Sequence, residues 1–209
     1  CNSLKSEILS FNKIQEKYNI PNLYFHVPNQ FWQHKNHRIV AEAVQILNKK
    51  NMHINIVCTG KTNDYRNPEY FSKFLELLKT LEVESQFKIL GIIPYKEMIS
   101  LMYYSAAVIN PSMFEGWSTT VEESKILNKS ILLSDIPVHK EQNPKKASFF
   151  NLSSPVELAE KIEQCVENYS VESNCLSKQL NSKLYDEDIL EFALNFENIS
   201  MEAFEMINS

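Results

Sequence analysis

Apolar positions along this 209-residue chain follow two alternating spacings. Short apolar runs closed by proline or glycine predict strands: LYFHV at 23–27 before Pro28, HINIVCT at 53–59 before Gly60, FKIL at 87–90 before Gly91, and AAVIN at 106–110 before Pro111. SILLSD at 130–135 and ASFF at 147–150 add two more. Between the strands the period changes to that of a helix. Residues 36–50 space Ile39, Ala43, Ile46 and Leu47 along one stripe. Residues 68–83 place Pro68 in a first turn and carry Phe71, Phe74, Leu75 and Leu78 on one face. Further helices are predicted over 95–104, 118–127 and 155–168.

Strands alternating with helices through short loops give a parallel sheet covered on both faces. Right-handed crossovers then make the fold class α/β, a doubly wound, Rossmann-like sheet. Residues 1–22 read as a polar lead-in or linker with some helical character. Residues 171–209 read as helical, with no strand left to pair. No internal repeat or low-complexity stretch appears.

Composition narrows the function classes. With 44% hydrophobic and 11% aromatic residues and only 3 glycines, the chain suits a packed domain and not a solvated coil. A chain of this length buries roughly 70% of its unfolded surface, so it needs neither disulfide nor metal to fold. The net charge of -5 argues against a nucleic-acid binder that works by neutralising phosphates. No apolar run approaches the ~18 residues of a membrane span. Cys1, Cys58, Cys165 and Cys175 are scattered with no CxxC pair, which argues against zinc or thioredoxin-like chemistry and for reduced thiols in the cytosol. The chain opens on Cys1 with no signal-peptide pattern, so a piece of a longer protein is expected. The Asn-x-Ser matches at Asn128 and Asn151 read as chance.

Gly60, Gly91 and Gly116 all follow a strand or lie in the loop after one. Glycine permits positive φ and close approach to the backbone, and in open α/β sheets ligands bind outside the carboxyl ends of the strands. Singly, each is equally a turn residue; together they favour a crevice on that edge. The loop PSMFEGWSTTVEES at 111–124 is the richest in chemistry. Glu115 precedes a helix whose first turn falls on Ser118, Thr119 and Thr120, residues that cap a helix and leave N–H groups free for an anion such as a diphosphate. Glu123 lies deeper in that helix. Two carboxylates so placed can bond separate parts of a polyhydroxylated ligand; the other reading is an N-cap with two solvated glutamates.

This loop resembles the E-x7-E motif of the family 4 glycosyltransferases, here Glu115-GWSTTVE-Glu123, following a strand and a Pro111-Ser112 step. NQFWQHKNH at 29–37 is similar to the opening of that family's C-terminal domain, in the branch of bacterial surface-polysaccharide transferases. The resemblance covers 24–168. It implies a retaining GT-B enzyme, with two Rossmann-like domains across a cleft and the nucleotide-sugar donor held mainly by the C-terminal one. Only that C-terminal half is present. Residues 1–22 are then an interdomain linker and 23–170 the nucleotide-sugar-binding domain. The helices of 171–209 would pack toward the missing N-terminal half, with apolar positions such as Ile189, Phe192, Phe196 and Ile199.

The same resemblance assigns roles residue by residue. Lys35 matches the lysine that neutralises the donor diphosphate, and Glu115 the glutamate that contacts sugar hydroxyls; these two carry the catalytic expectation. Gln30 stands where the family often has an arginine. Glu123 would hold the ribose hydroxyls, and Ile93 would meet the base through its main chain. Gly60 falls into the family pattern, and Gly116, Trp117, Ser118 and Thr119 would present backbone amides to sugar and phosphate. The implied reaction is hexose transfer from a nucleoside diphosphate sugar to a glycan or lipid-linked acceptor, with no cofactor and no metal. The isolated half is expected to be inactive in transfer. The expected setting is the cytoplasm, with peripheral association of the full-length protein at the inner face of the membrane.

Other residues weigh less. His34 and His37 flank Lys35 but have no carboxylate near in sequence to complete a metal site. Phe31 and Trp32 read as core or crevice wall, His139 as an extra group near the sugar, and Lys145-Lys146 as a solvated turn. The rival class is a non-catalytic nucleotide-binding or interaction module of the same fold, supported by Gln30; a nucleotide-sugar 2-epimerase fits the E-x7-E loop less well.

Overall fold

Each strand of the sheet sends alternate side chains to opposite faces, and helices bury both. The computed structural model describes residues 8–169. Its six strands are β1 (Phe25–Val27), β2 (Ile56–Cys58), β3 (Phe87–Ile89), β4 (Val108–Asn110), β5 (Ile131–Ser134) and β6 (Ala147–Phe150). All neighbours pair in parallel in the order β3-β2-β1-β4-β5-β6. The order reverses between β1 and β4. That is the switch point of a doubly wound sheet, and the crevice outside its carboxyl ends is the natural ligand position.

Helices α1 (Phe11–Tyr18), α2 (His37–Lys49), α3 (Tyr70–Thr80), α4 (Tyr95–Tyr104), α5 (Thr119–Ile126), α6 (Pro137–Gln142) and α7 (Pro155–Glu167) complete the described fold. On one face Phe25, Val27, Ile56, Cys58, Ile109 and Leu132 pack against Val40, Val44 and Leu47 of α2, Phe74 and Leu78 of α3, and Leu158 and Ile162 of α7. On the other, Val108, Ile131 and Leu133 meet Ile99 and Met102 of α4 and Val121 of α5. The alternation explains why the inner apolar runs are continuous: every residue of β1, β2, β4 and β5 is buried on one face or the other, while the edge strands β3 and β6 are largely half-buried.

Strands expected over five to seven residues pair over only three or four, the flanking positions being used to enter and leave the turns. α3 begins at Tyr70, so Pro68 lies in the turn before the helix and not in its first turn. α6 was not expected. It is six residues long, too short to show a stripe, and is set by Pro137 at its start and left-handed Asn143 at its end. Part of the polar lead-in packs firmly: Ile14 is fully buried and joins Ile20 and Tyr24 against Val57 and Leu101. Lys17 Nζ bonds Glu97 Oε1 of α4 at 2.6 Å, and Tyr18 donates to the other oxygen of that carboxylate. The helices expected over 171–209 lie outside the described residues.

Candidate active site

Two glycines shape the sheet edge for steric reasons. Gly60 has φ +132°, and a Cβ there would lie 2.6 Å from the Asn29 carbonyl oxygen, so only glycine lets the end of β2 close onto the end of β1. Its N–H donates to the carbonyl of Gly91, itself at φ +68°. Gly116 differs: its φ is ordinary and a Cβ would meet nothing within 4 Å. The glycine signal therefore holds for two positions of the three.

At the switch point the last residue of β4 is an asparagine. Asn110 accepts at Oδ1 from Asn29 Nδ2 (3.0 Å) and from Ser112 Oγ (2.8 Å). Its Nδ2 donates to Ser118 Oγ at 2.9 Å and lies 3.4 Å from His139 Nε2. His139 Nδ1 donates to the Ser134 carbonyl at 3.0 Å, which leaves Nε2 as the acceptor for Asn110. One buried amide thus joins the ends of β1 and β4, the N-cap of α5 and α6. Gln142 of α6 grips the same N-cap: Ser118 N–H donates to its Oε1 (3.3 Å), and its Nε2 donates to the Ser118 carbonyl (2.9 Å) and to Glu122 (2.8 Å).

These bonds change two expectations. Ser118 is at the N-cap, but its side chain caps no helix N–H, being turned to Asn110, and its own amide is taken by Gln142. His139 is fully buried within the network, away from open space, and burial pushes its pKa down.

Two loops carry the charged pair. Lys35 ends a 3-10 turn (Gln33–Lys35) after β1, and Glu115 lies in the β4–α5 loop. Lys35 Nζ meets Glu115 Oε1 at 2.5 Å, with side chains only 14% and 12% exposed. The loops are joined in register: Met113 N–H donates to the His34 carbonyl at 2.7 Å, and the His34 and Phe114 rings stack at 4.5 Å. Trp117 is 55% exposed, and Thr119 is also exposed.

A pocket of about 390 Å³ lies past the ends of β1, β2 and β3, lined by Pro28, Gln30, Thr59, Gly60, Lys61, Ile92, Ile93, Tyr95 and Met98. It gathers Gln30, Gly60 and Ile93 from the expected donor residues. Tyr95 on its wall donates to Glu123 Oε1 at 3.0 Å, linking the pocket to the second glutamate of the motif. Burial raises the Glu123 pKa, and the Tyr95 bond opposes that rise. Lys61 places a cation on the same wall as Gln30. Sequence reasoning missed Asn29, Asn110, Lys61, Tyr95 and Gln142; a polar residue closing an apolar strand before proline was the available signal for Asn110.

The remaining candidates separate. Phe31 and His37 are buried and stack on each other at 4.2 Å. Trp32 is half-buried, with the Arg66 guanidinium over its ring. Lys145 and Lys146 are exposed. Among the described residues no group of three or more His, Cys, Asp or Glu is placed to hold a metal ion, and no helix is long and apolar enough to cross a membrane.

A doubly wound sheet with polar groups gathered at its switch point and a pocket on the same carboxyl edge defines a fold that offers a small-ligand site there. The sequence model described as "Glycosyl transferases group 1" matches residues 10–180, and the chain belongs to that family. Solved structures of the same fold include a glycosyltransferase from Rickettsia africae (22% identity, TM-score 0.67, covering 80% of this chain and 45% of that one). Anabaena Alr3699/HepE in complex with UDP and glucose matches at 16% identity and TM-score 0.69, over 79% of this chain and 45% of that one. WaaG, a glycosyltransferase involved in lipopolysaccharide biosynthesis, matches at 15% identity and TM-score 0.65, over 87% and 48%. The chain thus spans about half the length of each, one Rossmann-like half of a GT-B architecture. No curated protein matches the chain in sequence.

Proposed function

We propose that this chain is the donor-binding half of a retaining hexosyltransferase. It would hold a nucleoside diphosphate sugar for transfer to a glycan or lipid-linked acceptor in surface-polysaccharide synthesis, on the cytoplasmic side of a bacterial membrane. The observation that carries the reading is the Lys35–Glu115 pair at the switch point, with a pocket on the same sheet edge that reaches Glu123 through Tyr95. That HepE was solved with UDP and with UDP-glucose makes UDP the first nucleotide to test.

In this reading the nucleoside occupies the pocket, its ribose hydroxyls on Glu123 and its base along the main chain near Ile93. The diphosphate lies between Lys35 and the start of α5. As the bond from the anomeric carbon to the diphosphate oxygen breaks, negative charge grows on the leaving group, and fixed positive groups that meet it lower the barrier. Lys35 supplies the charge and Thr119, in the first turn of α5, an N–H; Ser118 acts by position, its amide being held by Gln142. Glu115 changes partner from Lys35 to the sugar hydroxyls when the donor enters. Lys61 offers on the pocket wall the positive charge that Gln30 lacks.

The test is thermal denaturation with UDP, GDP and ADP, with Glu123→Ala as control. A nucleotide at ~100 times its Kd adds about 2.7 kcal/mol, several degrees for a domain of this size. A shift with one base, lost in the variant, supports a donor site. No shift with any of the three in the full-length protein removes the reading. The half alone should not transfer sugar.

A further inference from the structure

The β4–α5 loop and the first turns of α5 hold three glutamates, Glu115, Glu122 and Glu123, and their partners differ in kind. Glu115 is paired with Lys35 at 2.5 Å, and Glu122 with Lys125 at 3.2 Å and the Gln142 amide at 2.8 Å. Glu123 meets no cation among the described residues. Its partner is the Tyr95 hydroxyl, which donates to Oε1 at 3.0 Å. A carboxylate already neutralised by a lysine has little left to offer a neutral hydroxyl. One held by a phenol keeps its full charge and a second oxygen, and so is the strong acceptor of the three.

Tyr95 is held where it can aim that acceptor. It is the first residue of α4, directly after Pro94, and α4 packs on α5 through the buried side chains of Ile99, Met102 and Val121. The phenol and the carboxylate, 28 positions apart in sequence, are therefore brought together by two helices fixed against each other. A glutamate side chain turns about three bonds, and the phenol removes part of that freedom before any ligand arrives. Burial disfavours the charged form of Glu123, and the Tyr95 bond opposes that. Tyr95 also lines the pocket together with Ile93 and Met98, so the carboxylate it holds is one side chain away from the pocket.

We propose that Tyr95 is a positioning residue: it fixes Glu123 for the vicinal 2′,3′-diol of a ribose, and the pair sets a preference for ribonucleotides over deoxyribonucleotides. This rests on the donor reading above and deepens it, since it names how the nucleoside is chosen. Two adjacent hydroxyls donate best to a carboxylate whose plane is already set. Oε2 accepts one of them, and the lone pair of Oε1 that Tyr95 leaves accepts the other. A nucleotide without its 2′-hydroxyl leaves one of those acceptors unmet in a half-buried place, which weakens its binding. Lys35 and backbone amides, which meet the phosphates, make no such distinction.

The test is calorimetric titration with UDP, GDP and ADP and with the 2′-deoxy form of each, in the parent, Tyr95→Phe, Glu123→Gln and the double variant. Tyr95 is 49% exposed and phenylalanine keeps its ring, so Tyr95→Phe folds. In the parent the nucleotide that binds should do so about tenfold more tightly than its deoxy form, the factor one hydrogen bond to a charged group carries. Tyr95→Phe should cut that ratio severalfold and leave the Kd of the deoxy form where it was. Glu123→Gln should abolish the preference, and the double variant should match Glu123→Gln alone. The proposal is overturned if Tyr95→Phe keeps the parent's ratio or weakens both forms equally, as a purely structural role would. It is also overturned if Tyr95→Phe binds the ribonucleotide more tightly, because the phenol would then compete with the ribose for the carboxylate. A parent that takes both sugars alike loses this inference and keeps the donor reading; a full-length protein that binds no nucleotide loses both.

Discussion

Asn29 and Asn110 stand 81 positions apart and share a 3.0 Å hydrogen bond where β1 and β4 end. The bond ties together the two loops that bring Lys35 to Glu115. Asn110 also holds Ser112 and Ser118, so the start of the E-x7-E loop and the start of α5 are fixed by one side chain.

Asn110→Ala removes a fully buried amide and takes the Asn110 bond from the side chains of Asn29, Ser112 and Ser118. Each orphaned polar group costs about 1–3 kcal/mol when water cannot replace the bond. Allowing for repacking, a loss of about 2–4 kcal/mol in urea unfolding is expected. Nucleotide affinity should fall in the same variant even where the protein is folded. Unchanged affinity in folded Asn110→Ala would show that the network supports the fold and not the site.

Much of this was legible beforehand, for identifiable reasons. The strand–helix alternation was readable because both sheet faces are buried, so strands appear as apolar runs and helices as stripes. Glu115 and Glu123 stood out as two carboxylates flanking a helix start, and Lys35 through the family resemblance of residues 29–37. Asn110 and Gln142 did not, since a single polar residue in an apolar strand, or in a six-residue helix, looks like any turn residue until its partners are known. The Lys35–Glu115 bond itself could not be read, because sequence spacing says nothing about which loops meet across a switch point. Ser118 shows the opposite failure: serine at an N-cap predicts a capping bond, and the stronger buried partner Asn110 takes the hydroxyl instead.

Acid should destabilise the domain early. His26 and His37 are buried, and burial lowers the pKa of each from 6.5 to about 3. A group whose folded pKa lies below its unfolded value contributes stability above 6.5 and loses it as pH falls toward 3. From pH 7 to 5 each ring is expected to cost about 2 kcal/mol. His37 lies between Phe31 and Phe74, so His37→Phe keeps the packing and removes one titration. Unfolding free energies from pH 7 to 5 should fall less steeply in this variant than in the parent. Equal slopes would mean His37 does not titrate with folding.

Lys129 predicts the opposite limb. It is buried with its Nζ donating to the Tyr103 carbonyl at 3.0 Å, and burial, with Lys146 nearby, lowers its pKa from 10.5 to about 7. The folded pKa again lies below the unfolded one, so stability is full above 10.5 and is lost as pH falls toward 7. Between pH 7 and 9 the domain should gain about 2 kcal/mol from this residue. Above that, the Cys58 and Cys165 thiols, both pushed up by burial, act in reverse, because the unfolded chain ionises them first. Lys129→Met should be more stable than the parent at pH 7 and show a flatter profile to pH 9. Equal pH slopes would remove the buried charge from the account.

On the proposed donor reading Glu115 gives the sharpest functional prediction, because it would exchange Lys35 for the sugar hydroxyls when a donor binds. In the free protein its carboxylate neutralises Lys35 at 2.5 Å. A nucleoside diphosphate must break that pair before Lys35 can meet the phosphates, and it brings no sugar hydroxyls to replace the lost partner on Glu115. Glu115→Gln therefore releases Lys35 and removes a nearby negative charge. UDP, taken as the first nucleotide, should bind the variant several-fold more tightly, since about 1 kcal/mol of relief is roughly a factor of five. Lys35→Ala should weaken it by a similar or larger factor, and the double variant should resemble Lys35→Ala alone. Transfer by the full-length enzyme should be lost in Glu115→Gln, as the sugar hydroxyls lose their carboxylate. Calorimetric titration of the three variants decides the matter: weaker UDP binding in Glu115→Gln than in the parent would mean that the glutamate serves the phosphates and not the sugar.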